Sequence, residues 1–360
     1  MKQNQTKIFK RYLKQEFIEA LNKQSWWSRI VNDPDLFIGI RDNYLNVYFH
    51  GNSLVKLSPS RGGKIRGETH KAYLKCVKPQ TQNRVISEDG KFEEPVSPRL
   101  LSEIEVIKAQ ANAHFGIAST KAHQTRTREK SAIQEFLRNQ ENIIDVEVAV
   151  STKRSAEPLL DIKRSIPRID LVQLQQTEDG FRLSFIEVKY VNNKELCSRK
   201  EPRVVAQLID YQNLLAVENI RKEIIFSYGK VIENLANLGV AGTKPMPLVR
   251  DFVSNPNVRL WVNPRPKLLV LWRNDVELEK VPKWLEHKEK LEEILDTKKI
   301  DFDFKKNLKW KALPSISNGI WLKTTTWKAW RPNRPIYRRL ILPHLKTFHT
   351  KTVDPSSVTS

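Results

Sequence analysis

The sequence has little cysteine and no long apolar run, and each of these shortages excludes a class of protein. Its two cysteines, Cys76 and Cys197, lie far apart, so neither a disulfide framework nor a cysteine zinc site is indicated. The seven histidines form no HExxH motif or spaced metal pair. No run reaches transmembrane length, and the amino terminus lacks the apolar stretch of a secretory signal. We therefore expect a cytoplasmic protein with no membrane partner.

Acidic residues are also scarce relative to basic ones. The 360 residues include 62 Lys and Arg against 41 Asp and Glu, a net charge of +21. Such a chain has an electrostatic preference for polyanions, of which nucleic acid is the commonest. No GxGxxG motif occurs, and the run Arg61-Gly62-Gly63-Lys64 lacks the upstream glycine of a Walker loop, so ATP-driven action has no support.

The last sixth of the chain concentrates this basic charge and is rich in tryptophan. From residue 304 to the end, the basic residues are accompanied by a single acid, Asp354. Four tryptophans lie in the same stretch: Trp310, Trp321, Trp327 and Trp330. Two interpretations stay open: a tail in which rings stack on bases and cations meet phosphates, or a small domain with a tryptophan core.

A β-hairpin predicted over residues 168 to 190 is the feature around which the other signals are arranged. Two β-like runs, at about 168 to 176 and 181 to 190, flank the turn signal from Thr177 to Gly180. If the turn is centred between Glu178 and Asp179, opposed residues have numbers that add up to 357. Asp170 then faces Glu187 across the two strands.

Lys189 shares the face of these two carboxylates, because side chains in a strand alternate with period two. Like charges directly opposed across strands are destabilising, so we expect a cation to hold Asp170 and Glu187 together. A divalent metal is the natural candidate. The plainer alternative is a salt-bridged end of a surface hairpin.

The elements around the hairpin predict an α/β fold. A helix at 127 to 140 carries Glu129 on its apolar stripe, with Glu135 as a nearby competitor. In the helix at 203 to 220, Gln207 and Tyr211 are four residues apart and share one face. Further predicted elements are a helix at 5 to 24, a β-meander of three short runs at 36 to 58, irregular structure or a linker at 58 to 98, a helix at 97 to 112, a strand at 143 to 150 followed by a basic loop, a helix at 222 to 238, a strand at 266 to 272 and a helix at 280 to 296.

This ordered set of motifs resembles the PD-(D/E)xK nuclease superfamily, and most closely its RecB-like and Mrr-like branch. The resemblance covers roughly residues 127 to 272. It implies a restriction-endonuclease-like core with a mixed β-sheet flanked by helices, in the order α-β-β-β-α-β. We place that core at 96–300, after a small α+β domain at 1–95 and before a basic, tryptophan-rich extension at 301–360.

Site residues follow from the resemblance position by position. Asp170 matches the motif aspartate, although Ile169 stands where the nominal proline is expected and Pro167 lies further back. Glu187 and Lys189 match the (D/E)xK signature. Glu129 matches the helix glutamate of many members, and Gln207 with Tyr211 match the QxxxY helix of the RecB-like branch.

The implied chemistry is metal-dependent hydrolysis of phosphodiester bonds. Mg²⁺ or Mn²⁺ would be held by Asp170, Glu187, the carbonyl of Val188 and Glu129, since Mg²⁺ prefers hard oxygen ligands. The expected function is a Mg²⁺-dependent deoxyribonuclease of restriction, anti-phage defence or DNA repair, compatible with a homodimer. Two alternatives are a non-catalytic nucleic-acid-binding protein on the same scaffold and a nuclease directed at RNA.

Overall fold

In a computed structural model, the described part of the chain forms two β-sheets with helices packed against them. The protein is an α/β fold that combines an antiparallel sheet and a mixed sheet. The structure describes residues 9–69, 73, 83–86, 104–105, 107–109, 111, 121–150, 168–197, 201–255, 257–273 and 281–307.

The first sheet is an antiparallel meander of five strands, in the order β1-β2-β3-β4-β5. Its strands are β1 (Phe37–Ile40), β2 (Leu45–Phe49), β3 (Asn52–Pro59), β4 (Ile65–Glu68) and β5 (Asn83–Ile86). Helices α1 (Gln15–Asn22) and α2 (Trp27–Asn32) precede it. The meander was predicted with three strands. It is longer because β4 and β5 lie in the stretch expected to be irregular, where four-residue strands leave too short an alternating pattern to detect.

The second sheet has six strands, in the order β11-β10-β8-β7-β6, with β9 paired to β8. These strands are β6 (Ile143–Val148), β7 (Ile169–Thr177), β8 (Gly180–Tyr190), β9 (Leu260–Val262), β10 (Lys267–Arg273) and β11 (Asp301–Asn307). Strands β6, β7 and β8 are antiparallel, whereas β10 runs parallel to β8 and β11. The continuous apolar run of β10 fits its central place, buried on both faces.

Helices cover both faces of this mixed sheet. They are α3 (Lys121–Asn139), α4 (Arg203–Ala216), α5 (Glu218–Asn237), α6 (Val240–Thr243), α7 (Pro247–Ser254) and α8 (Pro282–Thr297). Tyr228 of α5 packs edge to face on Phe185, with ring centroids 6.0 Å apart. On the opposite face, the Lys305 amine lies 5.9 Å from the ring centroid of Phe136 in α3.

The hairpin of β7 and β8 has the predicted register. Leu171 pairs with Ile186 and Thr177 with Gly180, and in both pairs the residue numbers add up to 357. Gly180 is required at the turn, because its φ is +129° and a Cβ atom there would lie 2.4 Å from the carbonyl oxygen of Arg259. This close approach fixes the position of the turn.

One buried ionic cluster ties the N-terminal segment to the mixed sheet. Asp145 of β6 has no exposed side-chain surface, and its carboxylate lies 3.0 Å from Arg11 and 2.7 Å from Arg41. The Tyr228 hydroxyl donates to the same carboxylate at 2.9 Å. Burial alone would lower the pKa of Arg41, but the paired carboxylate raises it above its ordinary value. The Arg41 guanidinium therefore stays charged in the core.

Tertiary contacts shifted several helix boundaries from the predicted ones. The helix expected at 5 to 24 was wrong over residues 9 to 14. There, backbone groups bond outside any helix: the Leu13 amide donates to Asn234 Oδ1 at 2.8 Å and the Tyr12 amide to the Arg41 carbonyl at 3.2 Å. Helix α4 ends earlier than predicted, since Val217 is extended and separates α4 from α5.

Of the two predicted domain limits, only the one at residue 300 falls within the described residues. The boundary at residues 95 and 96 lies outside the described residues, as do the basic loop after β6 and residues 308–360. Strand β11 extends the mixed sheet past residue 300, where the core was expected to end. The described residues between 104 and 111 are helical, as predicted. Within the described residues, no helix combines the length and apolar character needed to cross a membrane.

We expect Asp145→Asn to lower the free energy of unfolding by about 3–5 kcal/mol, because it leaves two buried guanidinium groups without a counter-charge. Chemical denaturation followed by circular dichroism measures the loss. Glu68→Gln is the matched control, since Glu68 pairs with Lys56 near the surface, where the two side chains are 36% and 39% exposed. There the expected loss is about 1 kcal/mol or less. Equal losses in the two variants would contradict the role assigned to Asp145.

Candidate active site

Asp170 and Glu187 come together at the end of the hairpin away from its turn. Continuing the register of β7 and β8 by one pair places them opposite each other. The Val188 amide donates to Asp170 Oδ2 at 2.8 Å, which fixes the aspartate beside the (D/E)xK signature. Glu187 is only 1% exposed and Asp170 is half-buried. Two carboxylates therefore share a largely desolvated space.

The two oxygens of Glu187 have different surroundings. Oε1 accepts from the Lys189 ammonium at 2.7 Å and from Gln207 Nε2 at 2.8 Å. Oε2 is buried and accepts no hydrogen bond from any residue that the structure describes. A buried carboxylate oxygen without a partner is costly. The Glu187 carboxylate thus has one oxygen that is fully paired and one that is buried without a donor.

The pKa values of Asp170 and Glu187 are both raised at this site. Burial raises the pKa of Asp170 well above its ordinary value, and the neighbouring Glu187 carboxylate raises it further. Burial also raises the pKa of Glu187, to about 7, although Lys189 opposes that rise. Burial alone would lower the pKa of Lys189, yet the carboxylates of Glu187 and Asp170 raise it. One ammonium therefore offsets only part of the carboxylate charge.

Glu129 reaches the same end of β8 from helix α3. Its Oε2 accepts from Asn193 Nδ2 at 2.6 Å and from the Tyr190 amide at 3.3 Å. The Glu129 charge contributes to the raised pKa values of both Asp170 and Glu187, so the glutamate belongs to the cluster. These hydrogen bonds come from the last residue of β8, Tyr190, and from Asn193 in the turn that follows.

Gln207 and Tyr211 both face the cluster from α4, one helical turn apart. Tyr211 is 1% exposed, and its hydroxyl makes no hydrogen bond of standard geometry within the described residues, although the Ile169 amide lies near it. Burial raises the pKa of Tyr211, and the Glu187 and Asp170 carboxylates add to the rise. The hydroxyl therefore stays protonated and can donate to an incoming group.

Two residues of the site, Asn193 and Glu195, were missed by sequence reasoning. Glu195 Oε2 lies 3.1 Å from the Lys189 ammonium, and Asn193 contacts Glu129. An asparagine just after a strand is a turn signal that could have been used. The contact between Glu195 and Lys189 has no such signal, because it depends on how far the chain turns back.

Metal binding stays a prediction. Over the described part of the chain, no three His, Cys, Asp or Glu side chains converge as a metal-binding group. Asp170 and Glu187 are brought together, whereas the Glu129 carboxylate is engaged by Asn193 and Tyr190. Of the predicted ligands, Val188 contributes its amide to Asp170. Among the predicted ligands, Glu187 has one carboxylate oxygen, Oε2, that is buried without a hydrogen-bond partner in the described residues.

No family model, curated protein or solved structure matches this chain. The likeness to the PD-(D/E)xK superfamily therefore has no support outside the chain itself. Any functional assignment rests on the site residues and their geometry.

The raised pKa of Glu187 predicts that the metal-free protein loses stability toward neutral pH. The folded state holds a proton on this carboxyl group up to about pH 7, whereas its ordinary pKa is 4.5. The stabilising contribution is fully present below about pH 4.5 and is lost as the pH rises through about 7. Its size is on the order of 3 kcal/mol.

Chemical denaturation in a chelating buffer, from about pH 4 to about pH 8, measures this dependence. Glu187→Gln should flatten the profile in the window between the two pKa values. A variant profile that follows the wild-type one would contradict the assignment.

Proposed function

We propose that the chain is a Mg²⁺-dependent nuclease that hydrolyses phosphodiester bonds of DNA, built on a restriction-endonuclease-like core. The observation that carries the proposal is the buried, partnerless Oε2 of Glu187, opposite Asp170 and beside the ammonium of Lys189. A salt-bridged hairpin end would have its carboxylates paired or exposed to water. Here one oxygen of the Glu187 carboxylate is buried and accepts no hydrogen bond from a described residue.

The donor set suits a hard divalent cation. Asp170 and Glu187 offer carboxylate oxygens, and a backbone carbonyl such as that of Val188 is a ligand of the same type. Glu129 lies close enough to influence both acids and would hold a water or a second ion. When bound, such a cation lowers the pKa of a coordinated water and neutralises charge on the phosphate.

The remaining side chains orient the reacting groups. Lys189, whose charge is maintained by two carboxylates, would stabilise negative charge on the phosphoryl oxygens or hold the attacking water. Gln207 fixes Oε1 of Glu187 and so directs Oε2 into the site. The protonated Tyr211 hydroxyl would donate to a phosphate oxygen from the α4 side.

The charge of the chain favours a polyanionic substrate. With a net charge of +21, binding is expected to be steered by the phosphate backbone and weakened by salt. We assign the activity to DNA, in restriction, anti-phage defence or repair. Cleavage of RNA, or binding without cleavage, are outcomes that the same assays would identify.

Lys189→Ala should lower the cleavage rate strongly while leaving nucleic-acid binding largely intact. Loss of one preorganised donor at a developing charge lowers the rate by about 100- to 1,000-fold. Parallel digests of single- and double-stranded DNA and RNA, with and without Mg²⁺, measure the rate. A filter or gel-shift assay measures the affinity.

Lys194→Ala is the matched control, because Lys194 is an exposed lysine five positions along the chain. It removes the same charge from the protein without entering the site. Full activity in Lys189→Ala would rule out the assigned site.

Asp170→Asn should weaken metal binding independently of any turnover. A ligand that binds only the folded state raises its stability by mass action, so Mg²⁺ or Mn²⁺ should raise the melting temperature of the wild-type protein and not that of Asp170→Asn. Differential scanning fluorimetry over a metal titration provides the measurement. Asp179→Asn, at the exposed hairpin turn, is the control and should retain the wild-type shift. An identical shift in Asp170→Asn would place the metal elsewhere.

A further inference from the structure

The turn that follows β8 is anchored against the sheet. It runs from Val191 to Leu196 and ends in a short 3-10 helix, Lys194–Leu196. The Val191 amide donates to the Leu271 carbonyl at 2.9 Å, and the Leu196 side chain is fully buried. Such an anchored turn can hold polar side chains in fixed positions beside the site.

Asn193 connects this turn to Glu129. Its Nδ2 donates to Glu129 Oε2 at 2.6 Å, and its Oδ1 accepts from the Glu195 amide at 2.9 Å. The Asn193 side chain thus hydrogen-bonds Glu129 and also caps the 3-10 helix that carries Glu195. The placement of Glu195 depends on this cap.

Glu195 shares the ammonium of Lys189 with Glu187. The Lys189 amine lies 2.7 Å from Glu187 Oε1 and 3.1 Å from Glu195 Oε2. Lys189 is nearly buried, whereas Glu195 is 34% exposed. The lysine is therefore held between an inner carboxylate and an outer one.

We propose that Glu195 is a positioning residue that keeps Lys189 in the site during catalysis. The inference rests on the function proposed above. A carboxylate that shares its charge with a divalent cation attracts a neighbouring ammonium less, and the ammonium is itself repelled by that cation. The negative charge of Glu195 attracts the Lys189 ammonium from the outer side, and this attraction offsets both the weaker pull of Glu187 and the repulsion by the cation. Lys189 therefore stays directed at the reacting phosphate.

The first test measures the accessibility of Lys189 without requiring turnover. Glu195→Gln and Glu178→Gln remove the same charge, but Glu178 lies at the exposed turn at the other end of the hairpin. Brief reaction with an amine-acylating reagent, followed by peptide mass spectrometry, gives the labelling rate of Lys189. With one charge-assisted hydrogen bond lost, the rate should rise about tenfold in Glu195→Gln and stay at the wild-type value in Glu178→Gln.

The second test separates positioning from substrate binding. Supporting residues around a catalytic group typically contribute about 10- to 100-fold. Glu195→Gln should lower kcat by about that factor and change KM by less than about threefold. Glu195→Asp keeps the charge and should recover part of the lost kcat, whereas Glu178→Gln should match the wild-type protein.

The outcomes distinguish this inference from the proposed function. If the wild-type protein cleaves no nucleic acid, the proposed function fails, and the catalytic role of Glu195 fails with it, although raised labelling would still confirm its hold on Lys189. If the wild-type protein is active, then unchanged labelling or unchanged kcat in Glu195→Gln overturns the positioning role alone. Raised labelling together with a lowered kcat and partial rescue by Glu195→Asp supports it.

Discussion

The antiparallel register of β7 and β8 is the constraint on which the candidate site depends. A slip of one residue would move Asp170 to the other face of the sheet and separate it from Glu187. Gly180 opposes such a slip, because no other residue fits against the Arg259 carbonyl at that turn. A turn residue ten positions from Asp170 therefore determines whether two carboxylates meet.

The acids of the candidate site are buried in an unfavourable electrostatic environment, whereas another buried acid of the same sheet is fully paired. Glu187 is buried with one oxygen unpartnered, and burial raises the pKa values of Asp170 and Glu187 together. Elsewhere in the same sheet, a buried acid such as Asp145 has two arginine partners and a tyrosine donor. Local rules are typically broken at functional sites and obeyed around them. Of these two buried acids, only Glu187 has a carboxylate oxygen without a hydrogen-bond partner among the described residues.

Sequence reasoning predicted the parts of the site that depend on local periodicity. Strand alternation and one turn signal were enough for the pairing of the hairpin, and helical spacing placed Gln207 and Tyr211 on one face of their helix. That this face lies at the site was implied by the resemblance alone, and the structure shows the contact between Gln207 and Glu187. Short-range patterns could not predict Glu195, whose contact with Lys189 requires the path of a whole turn. Residues 9 to 14 were mistaken for helix because backbone bonds to distant partners outweigh local spacing there. Strands β4 and β5 were not predicted, because a strand of four residues is too short to show a clear alternating pattern.

The buried cluster at Asp145 also bears on how the chain reaches its folded state. Arg11 and Arg41 leave the ribosome long before Asp145, and Tyr228 follows later still. The carboxylate that these two arginines share is therefore synthesised at least 104 residues after them. Contacts over such sequence distances generally form slowly, and this cluster cannot form until Asp145 and Tyr228 have been synthesised. Completion of the core is therefore a late event in biosynthesis, and it couples the two sheets in time as well as in space.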